Sequence, residues 1–240
     1  MKEPTVSLVI PAYNEEKSIG ECLMYAIQSS EGKFHEIIVV NNASTDNTKS
    51  IALSYDGVRV VDEVKKGLTM ARQAGYQNAT GELVAYIDAD TRMPSMWLKR
   101  VMREFQSNSE LGCLSGPYQY FDIGKVQQLS VTLYWYILGM PTYWIIGYMV
   151  VGGNFVIKKS VLDSMNGFDT TISFYGEDTN IARRASRFGK VLFKPSLVMQ
   201  TSGRRLRNEG LFGTAWKYVL NFSSEVFIHK PITKEYKDFR

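Results

Sequence analysis

An apolar run, residues 82–87 (ELVAYI), stops abruptly at Asp88-Ala89-Asp90 and gives way to polar Thr91-Arg92-Met93-Pro94. Two carboxylates one residue apart at a strand tip lie where open α/β sheets bind their ligands. Hard oxygen ligands there suit Mg²⁺ or Mn²⁺, and either ion can bridge to the oxygens of a diphosphate. A solvated Asp-X-Asp turn accounts for these three residues equally well. Two further features favour a site: the acidic pair Glu177-Asp178, and the segment Pro11-Ala12-Tyr13-Asn14-Glu15-Glu16 at the end of another apolar run. Each has its own plain reading. Acids at a helix start partner the helix dipole, and the Tyr13 segment can be an ordinary helix-initiating turn rather than a loop whose ring stacks on a base.

Positioning such groups requires strand ends gathered along one edge, and the first hundred residues alternate strand and helix patterns as a parallel sheet covered by helices does. Residues 5–10, 36–40, 58–61 and 82–87 read as strands. Ile19, Cys22, Leu23, Ala26 and Ile27 follow helical spacing. Residues 42–48 form a Ser/Thr/Asp-rich helix start, residues 68–78 a helix, and residues 97–105 an amphipathic helix with Trp97, Val101, Met102 and Phe105 on one face. Beyond residue 110 the pattern loosens: residues 112–121 and 152–157 read as strands joined by a long apolar connection. No repeat, low-complexity tract or linker interrupts the chain, so one domain of two functional halves is the simplest organisation.

At 240 residues the chain can bury a sizeable core, and its net charge of +4 is mild. Residues 203–240 hold eight Lys/Arg against four Asp/Glu, a surplus equal to that of the whole chain. Such a basic terminal segment fits a diphosphate or an anionic membrane surface better than a broad nucleic-acid stripe. Cys22 and Cys113 match no metal spacing and read as buried free thiols, which points to a reducing compartment. The apolar run before Pro11 is too short for a signal peptide, and a cytoplasmic location is expected.

Taken together, IPAYNEEKSIGECL, EIIVVNNASTDNT, KGLTMARQAG, YIDAD, GGNFVIKKSVLDSMNGFD and YGEDTNIARRASRFGKV resemble, in order, the family-2 glycosyltransferases of GT-A fold. The likeness spans roughly residues 5–200. It implies a single-domain α/β fold, a Rossmann-like, mainly parallel mixed sheet flanked by helices. It also implies inverting transfer of a sugar from a nucleoside-diphosphate donor, UDP- before GDP-, with Mn²⁺ or Mg²⁺. On this reading residues 1–203 form the catalytic domain, with a donor half (1–110) and an acceptor half (111–203), and residues 204–240 a basic amphipathic segment.

The resemblance also implies roles. Pro11, Ala12, Tyr13 and Glu15 match the first nucleotide-binding loop. Asn41 and Asn42 stand where many relatives carry Asp-Asp, so base recognition by an amide is expected. Asp46 is expected to cap its helix. Lys66, Gly67 and Arg72 match a segment near base and diphosphate, with a solvated helix charge the alternative for Arg72. Asp88, Ala89 and Asp90 match the metal motif, Asp90 as the direct ligand and Asp88 as a ribose or sugar contact. Many relatives add a His from a C-terminal loop. Here that loop reads Gln200-Thr201-Ser202-Gly203-Arg204-Arg205, so Arg204 and Arg205 are expected to take part of the diphosphate charge. Asp178 matches the catalytic base, with Glu177 its helper. Asn154, after Gly152-Gly153, is expected to contact donor sugar hydroxyls, the glycines allowing close backbone approach.

Residues 131–151, VTLYWYILGMPTYWIIGYMVV, are long enough to suggest a membrane span. Pro141, Gly139, Gly147 and the interface-type aromatics Tyr134, Trp135, Tyr136, Tyr143, Trp144 and Tyr148 argue against one. Three readings remain: helices beside the acceptor pocket, a monotopic membrane contact, or a homodimer interface. Leu211, Phe212, Ala215, Trp216, Val219, Phe222 and Val226 form an apolar stripe beside Lys217, which describes an interfacial helix or ordinary packing. Membrane contact at both segments would put the protein on the inner face of the cell membrane, acting on a lipid-linked or cell-surface glycan.

Neither the Gln-x-x-Arg-Trp element of processive synthases nor the Leu-Gln-His-Pro sequence of polyprenyl-phosphate sugar synthases is present. The acceptor is therefore expected to be a hydroxyl, with a polyprenyl-phosphate synthase or a silent sugar-nucleotide-binding scaffold as the alternatives. A nucleotidyltransferase would need a Gly-rich phosphate loop after the first strand, and a dehydrogenase a Gly-x-Gly-x-x-Gly turn; PAYNEEKS is neither.

Overall fold

The computed structural model describes residues 3–172, 176–209 and Ser224. Its first half follows the alternation of the sequence: β1 (Val6–Ala12), α1 (Ile19–Ser30), β2 (Glu36–Asn41), α2 (Thr48–Leu53), β3 (Val58–Asp62), α3 (Leu68–Asn78) and β4 (Leu83–Ile87). Strands β1 and β4 are buried along their whole length, which is why they read as unbroken apolar runs rather than as alternating ones. After β5 (Thr91–Arg92) and α4 (Trp97–Ser107) come β6 (Leu111–Ser115), β7 (Tyr118–Tyr120), α5 (Lys125–Tyr134), a π-helical turn (Trp135–Gly139) and α6 (Met140–Ile146). The described chain continues through β8 (Asn154–Lys158), α7 (Lys159–Ser164), α8 (Glu177–Ala185), β9 (Lys190–Phe193), β10 (Met199–Thr201) and α9 (Arg204–Glu209).

Seven strands form one mixed sheet in the order β3-β2-β1-β4-β8-β6-β9. Four of its pairings are parallel; β8 runs antiparallel to both neighbours. Helices cover both faces. One layer of core, around Leu8, Ile10, Leu23 and Trp97, packs α1 and α4. The other, around Val9, Tyr86, Phe155 and Ile181, packs α3, α7 and α8. A separate small sheet, β5-β10-β7, stands at the carboxyl end of β4.

Two expected strands are drawn differently. Residues 112–121 are not one strand: Pro117 has no N–H to donate, the ladder stops at Ser115, and the chain crosses to the small sheet at Tyr118. The expected strand over 152–157 begins at Asn154, after a turn through Gly152-Gly153. Cys22 and Cys113 are buried free thiols, as expected.

The stretch 131–151 forms α5, the π-turn and α6, and among the described residues no helix is long and apolar enough to cross a membrane. The π-turn follows from Gly139, where a Cβ would stand 2.8 Å from the Trp135 ring; the missing side chain lets the indole lie across the widened turn. Trp135 stacks on Phe193 at a centroid distance of 5.4 Å. The outer face of these helices leaves Val126, Leu129, Leu133, Ile137, Leu138, Trp144 and Ile145 exposed. The expected apolar stripe over 211–226 and the bulk of the 204–240 segment lie outside the described residues.

Candidate functional site

The carboxyl ends of β1, β2 and β4 deliver the expected residues to one edge. Asp88 follows β4 directly, and Tyr118 donates its hydroxyl to Asp88 Oδ2 at 2.8 Å. Gly153 presses against the same spot: a Cβ there would overlap the Tyr118 hydroxyl and the Asp88 carboxylate. Arg72 reaches in from α3. It is not a solvated helix charge but fully buried, donating to the Gly152 carbonyl at 2.7 Å, 3.6 Å from Asp88 Oδ1, and ion-paired with Glu177.

Burial pushes Glu177 up to about 7, against the opposing pull of Arg72 and with the Asp178 charge adding to the rise. Asp178, next in line, is raised above its usual range by burial, while the Thr179 N–H donates to its Oδ1 at 2.9 Å. Its charge is also felt by Tyr134 at the end of α5. A cavity of about 210 Å³ lies on the flank of Tyr118, which lines it with Gln128, Trp135, Met140 and Phe193 among others. Tyr118 thus touches the carboxylate cluster with its hydroxyl and the cavity with its flank.

Asp90 occupies the other end. It is largely enclosed, Arg204 stands 3.2 Å from its Oδ2, and Thr201 of β10 lies 3.5 Å from its Oδ1. Burial lifts Asp90 to about 7, with the Asp88 and Glu15 charges adding to the rise and Arg204 opposing it. Arg204 also embraces Glu15 with both guanidinium nitrogens. Glu15 in turn is held through its backbone N–H, which donates to Thr48 Oγ1 at 2.7 Å. Asp46 organises the turn just before the N-cap Asn47, accepting from Thr48 N at 3.0 Å and from Glu16 N at 3.1 Å.

Two carboxylates, Asp88 and Asp90, offer hard oxygens. Among the described residues no three His, Cys, Asp or Glu side chains gather to hold an ion alone. The donor set therefore fits a cation that completes its coordination with diphosphate oxygens.

Other expected residues take places the sequence did not disclose. Pro11 and Ala12 lie buried at the end of β1 and hand the chain to Tyr13. The Lys66 ammonium sits 3.8 Å over the Tyr13 ring, closing one flank of the same edge. Asn41 donates to Asp62 Oδ1 at 2.8 Å. Asn42 donates to the carbonyls of Glu63 and Lys65 and accepts from Gly67 N–H at 2.8 Å, so its amide shapes the 63–67 loop that carries Lys66. Ala89 is buried between the two acids, and Arg205 follows Arg204, half-buried. Asn154 corrects the expectation of a sugar contact. Its side chain is fully buried, accepting from Trp97 Nε1 at 2.8 Å and donating to the carbonyls of Gly116, Pro117 and Leu197. It clamps the strand crossover instead.

Tyr118 is the site residue that the sequence did not single out. Its signal was faint: a polar-tipped aromatic just beyond Gly116-Pro117, where the ladder had to break.

Comparisons with known proteins agree with this architecture. "Probable glycosyltransferase YdaM" of Bacillus subtilis (strain 168) is 26% identical over 215 residues, covering 82% of this chain and 51% of that protein. This chain thus spans about half the length of that curated relative. A solved mannosyltransferase, PcManGT from Pyrobaculum calidifontis in complex with GDP-Man and Mn²⁺, superposes with a TM-score of 0.71 at 20% identity, over 95% of this chain and 64% of that one. Glucosyl-3-phosphoglycerate synthase from Mycobacterium tuberculosis, with Mn²⁺, UDP-Glc and phosphoglyceric acid, gives 0.64 at 20% identity, over 93% and 80%. At that identity the likeness establishes the fold. The model of "Glycosyl transferase family 2" matches residues 7–165, well over half of the sequence, and the chain belongs to that family.

Proposed function

We propose that the protein is an inverting hexosyltransferase. It moves a sugar from a nucleoside-diphosphate donor, UDP- before GDP-, to a hydroxyl of a glycan or lipid-linked acceptor. The observation that carries this reading is that buried Arg72 ties Asp88 to Glu177, next to Asp178, while Tyr118, bonded to Asp88, lines a neighbouring cavity.

Asp178 is the base. Inversion needs one carboxylate to take the acceptor proton as its oxygen attacks the anomeric carbon opposite the leaving group. Burial has raised the proton affinity of Asp178, which suits that task. Glu177, locked by Arg72, fixes the first turn of α8 and so the aim of Asp178. The paired Tyr13 and Lys66 receive the nucleobase, and Asn42 holds the 63–67 loop that carries Lys66. Asp90, with Asp88, would hold Mn²⁺ or Mg²⁺, which supplies charge neutralisation at the departing diphosphate. Two solved structures of the same fold, named above for their GDP-Man, UDP-Glc and Mn²⁺, support this assignment of donor and cation. The acceptor enters through the uncharged, aromatic and amide-lined cavity between Tyr118 and Trp135.

The protein works at the inner face of the cell membrane, with α5 and α6 as its contact. Their exposed Leu, Ile and Trp side chains, with Lys125 at the start and no charge over residues 126–157, have the make-up of an interfacial surface.

Calorimetric titration of UDP, GDP, CDP and dTDP, each with and without Mn²⁺, tests the donor reading. Manganese-dependent binding of one diphosphate, lost in Asp90→Ala, is expected. Absence of binding by all four would favour a silent scaffold. Asp178→Asn should lower turnover by about 10²–10⁴-fold with donor affinity unchanged; unchanged turnover would remove it as base.

A further inference from the structure

Arg204 is ion-paired with Asp90. Its side chain is half-buried. It bridges Glu15 of the first loop and Asp90 of the Asp88–Asp90 motif, 3.2 Å from Asp90 Oδ2 and paired with both Glu15 oxygens. The bridge is built rather than incidental. Strand β10 pairs antiparallel with β5, Thr201 against Thr91, and Ser202 N–H donates to the Asp90 carbonyl at 3.2 Å. Asp122 accepts from Ser202 Oγ at 2.7 Å and also binds Gly203 N–H. These contacts pin the backbone just ahead of Arg204, so its side chain is delivered to the carboxylate that a cation would use. A guanidinium and a divalent cation held by the same carboxylate would repel each other, so each would weaken the other's hold on Asp90.

We propose that Arg204 is the resident counter-ion of the Asp90 carboxylate, so that divalent cation and nucleoside diphosphate load together while Arg204 passes from the carboxylates to the diphosphate. The inference rests on Asp90 as the cation-binding group. A guanidinium fork matches phosphate oxygens as well as it matches Glu15 and Asp90, so the transfer exchanges one bidentate pairing for another. In the free protein Arg204 competes with the cation. Once a diphosphate is present the guanidinium has a second anion to bind, and Asp90 is freed. Linkage makes the effect reciprocal: the factor by which diphosphate tightens the cation equals the factor by which the cation tightens diphosphate.

The test is Mn²⁺ binding to the full chain, read from the free-Mn²⁺ electron paramagnetic resonance signal, with and without UDP or GDP. Wild type should bind Mn²⁺ weakly alone and at least tenfold more tightly with its diphosphate. Arg204→Ala should bind Mn²⁺ alone several-fold more tightly than wild type, with the coupling to diphosphate reduced. Arg207→Ala removes the same charge one turn along α9, where Arg207 pairs with Asp122, and should leave Mn²⁺ affinity within twofold of wild type. Unchanged or weaker Mn²⁺ binding by nucleotide-free Arg204→Ala would overturn the proposal, as would an equal gain in Arg207→Ala. Arg204→Gln, which keeps length without charge, should reproduce the alanine result. Loss of Mn²⁺ binding by wild type even with diphosphate would instead sink the reading of Asp90 as a cation site.

Discussion

Arg72 and Glu177 form an ion pair in which the side chains keep only 1% and 7% of their exposure, and it joins α3 to the first turn of α8 across the carboxyl end of β4. A buried guanidinium in this setting is costly unless paired. Arg72 is held charged because Glu177 and Asp88 outweigh the penalty of burial. The pair thus fixes where Asp178 stands.

Arg72→Met should therefore destabilise the fold by about 3–5 kcal/mol, because it leaves Glu177 buried without its partner. The double variant Arg72→Met/Glu177→Gln should recover a large part of that loss. Chemical denaturation of the wild type and both variants measures the two quantities, and a double variant no more stable than Arg72→Met would refute a shared role.

The raised carboxylates give stability a definite pH dependence. Asp90 and Glu177 titrate near 7 in the folded chain, against about 4 for free carboxylates. Between those values the folded state binds more protons than the unfolded one, so stability falls as pH rises from about 4 to 7. The Tm of the ligand-free protein should be higher at pH 5.5 than at pH 8. Asp90→Asn should flatten the slope, and a Tm that climbs over this window would contradict the assignment.

Gly153→Ala should lower manganese-dependent diphosphate binding at least tenfold, since its methyl takes the space of the Asp88 carboxylate and the Tyr118 hydroxyl. Tyr118→Phe removes only the hydroxyl bonded to Asp88 and should weaken binding less. Calorimetry on both separates crowding from the lost hydrogen bond.

Asn154→Ala should cost stability rather than donor affinity. It strips a partner from the Trp97 indole and from three carbonyls, each worth about 1–3 kcal/mol when left unsatisfied. Donor affinity falling with stability intact would restore the sugar-contact role.

Trp144→Ser with Ile145→Ser should reduce sedimentation with vesicles containing anionic lipid, while changing stability by no more than about 0.5 kcal/mol, as expected for exposed positions. A fall in oligomeric state with vesicle binding unchanged would assign the face to a second copy of the chain.

Much of this site was legible in the sequence because strand ends announce themselves. ELVAYI followed by Asp88 placed the acidic tip, the alternation to residue 110 placed the strands, and the family resemblance assigned Tyr13, Asn42 and Arg72 to the donor side. What stayed hidden was set by tertiary approach. Nothing in KGLTMARQAG tells whether Arg72 faces water or Glu177, since one helix position satisfies either until α8 is packed. Asn154 looked free because its four partners come from α4, the 116–117 crossover and residue 197, all distant in sequence. The break of the 112–121 strand was foreshadowed by Pro117, yet its destination, a second sheet, depends on β10.

That small sheet has a consequence for how the protein comes into being. Six of the seven strands of the main sheet have been made by Lys158, whereas β5-β10-β7 closes only when residues 199–201 arrive. On the ribosome, at about 5–20 residues per second, the emerging chain can assemble its central layers while the acidic tip still lacks β10 and Arg204. Among the described residues, the acidic edge is thus completed late in synthesis, by the last described strand.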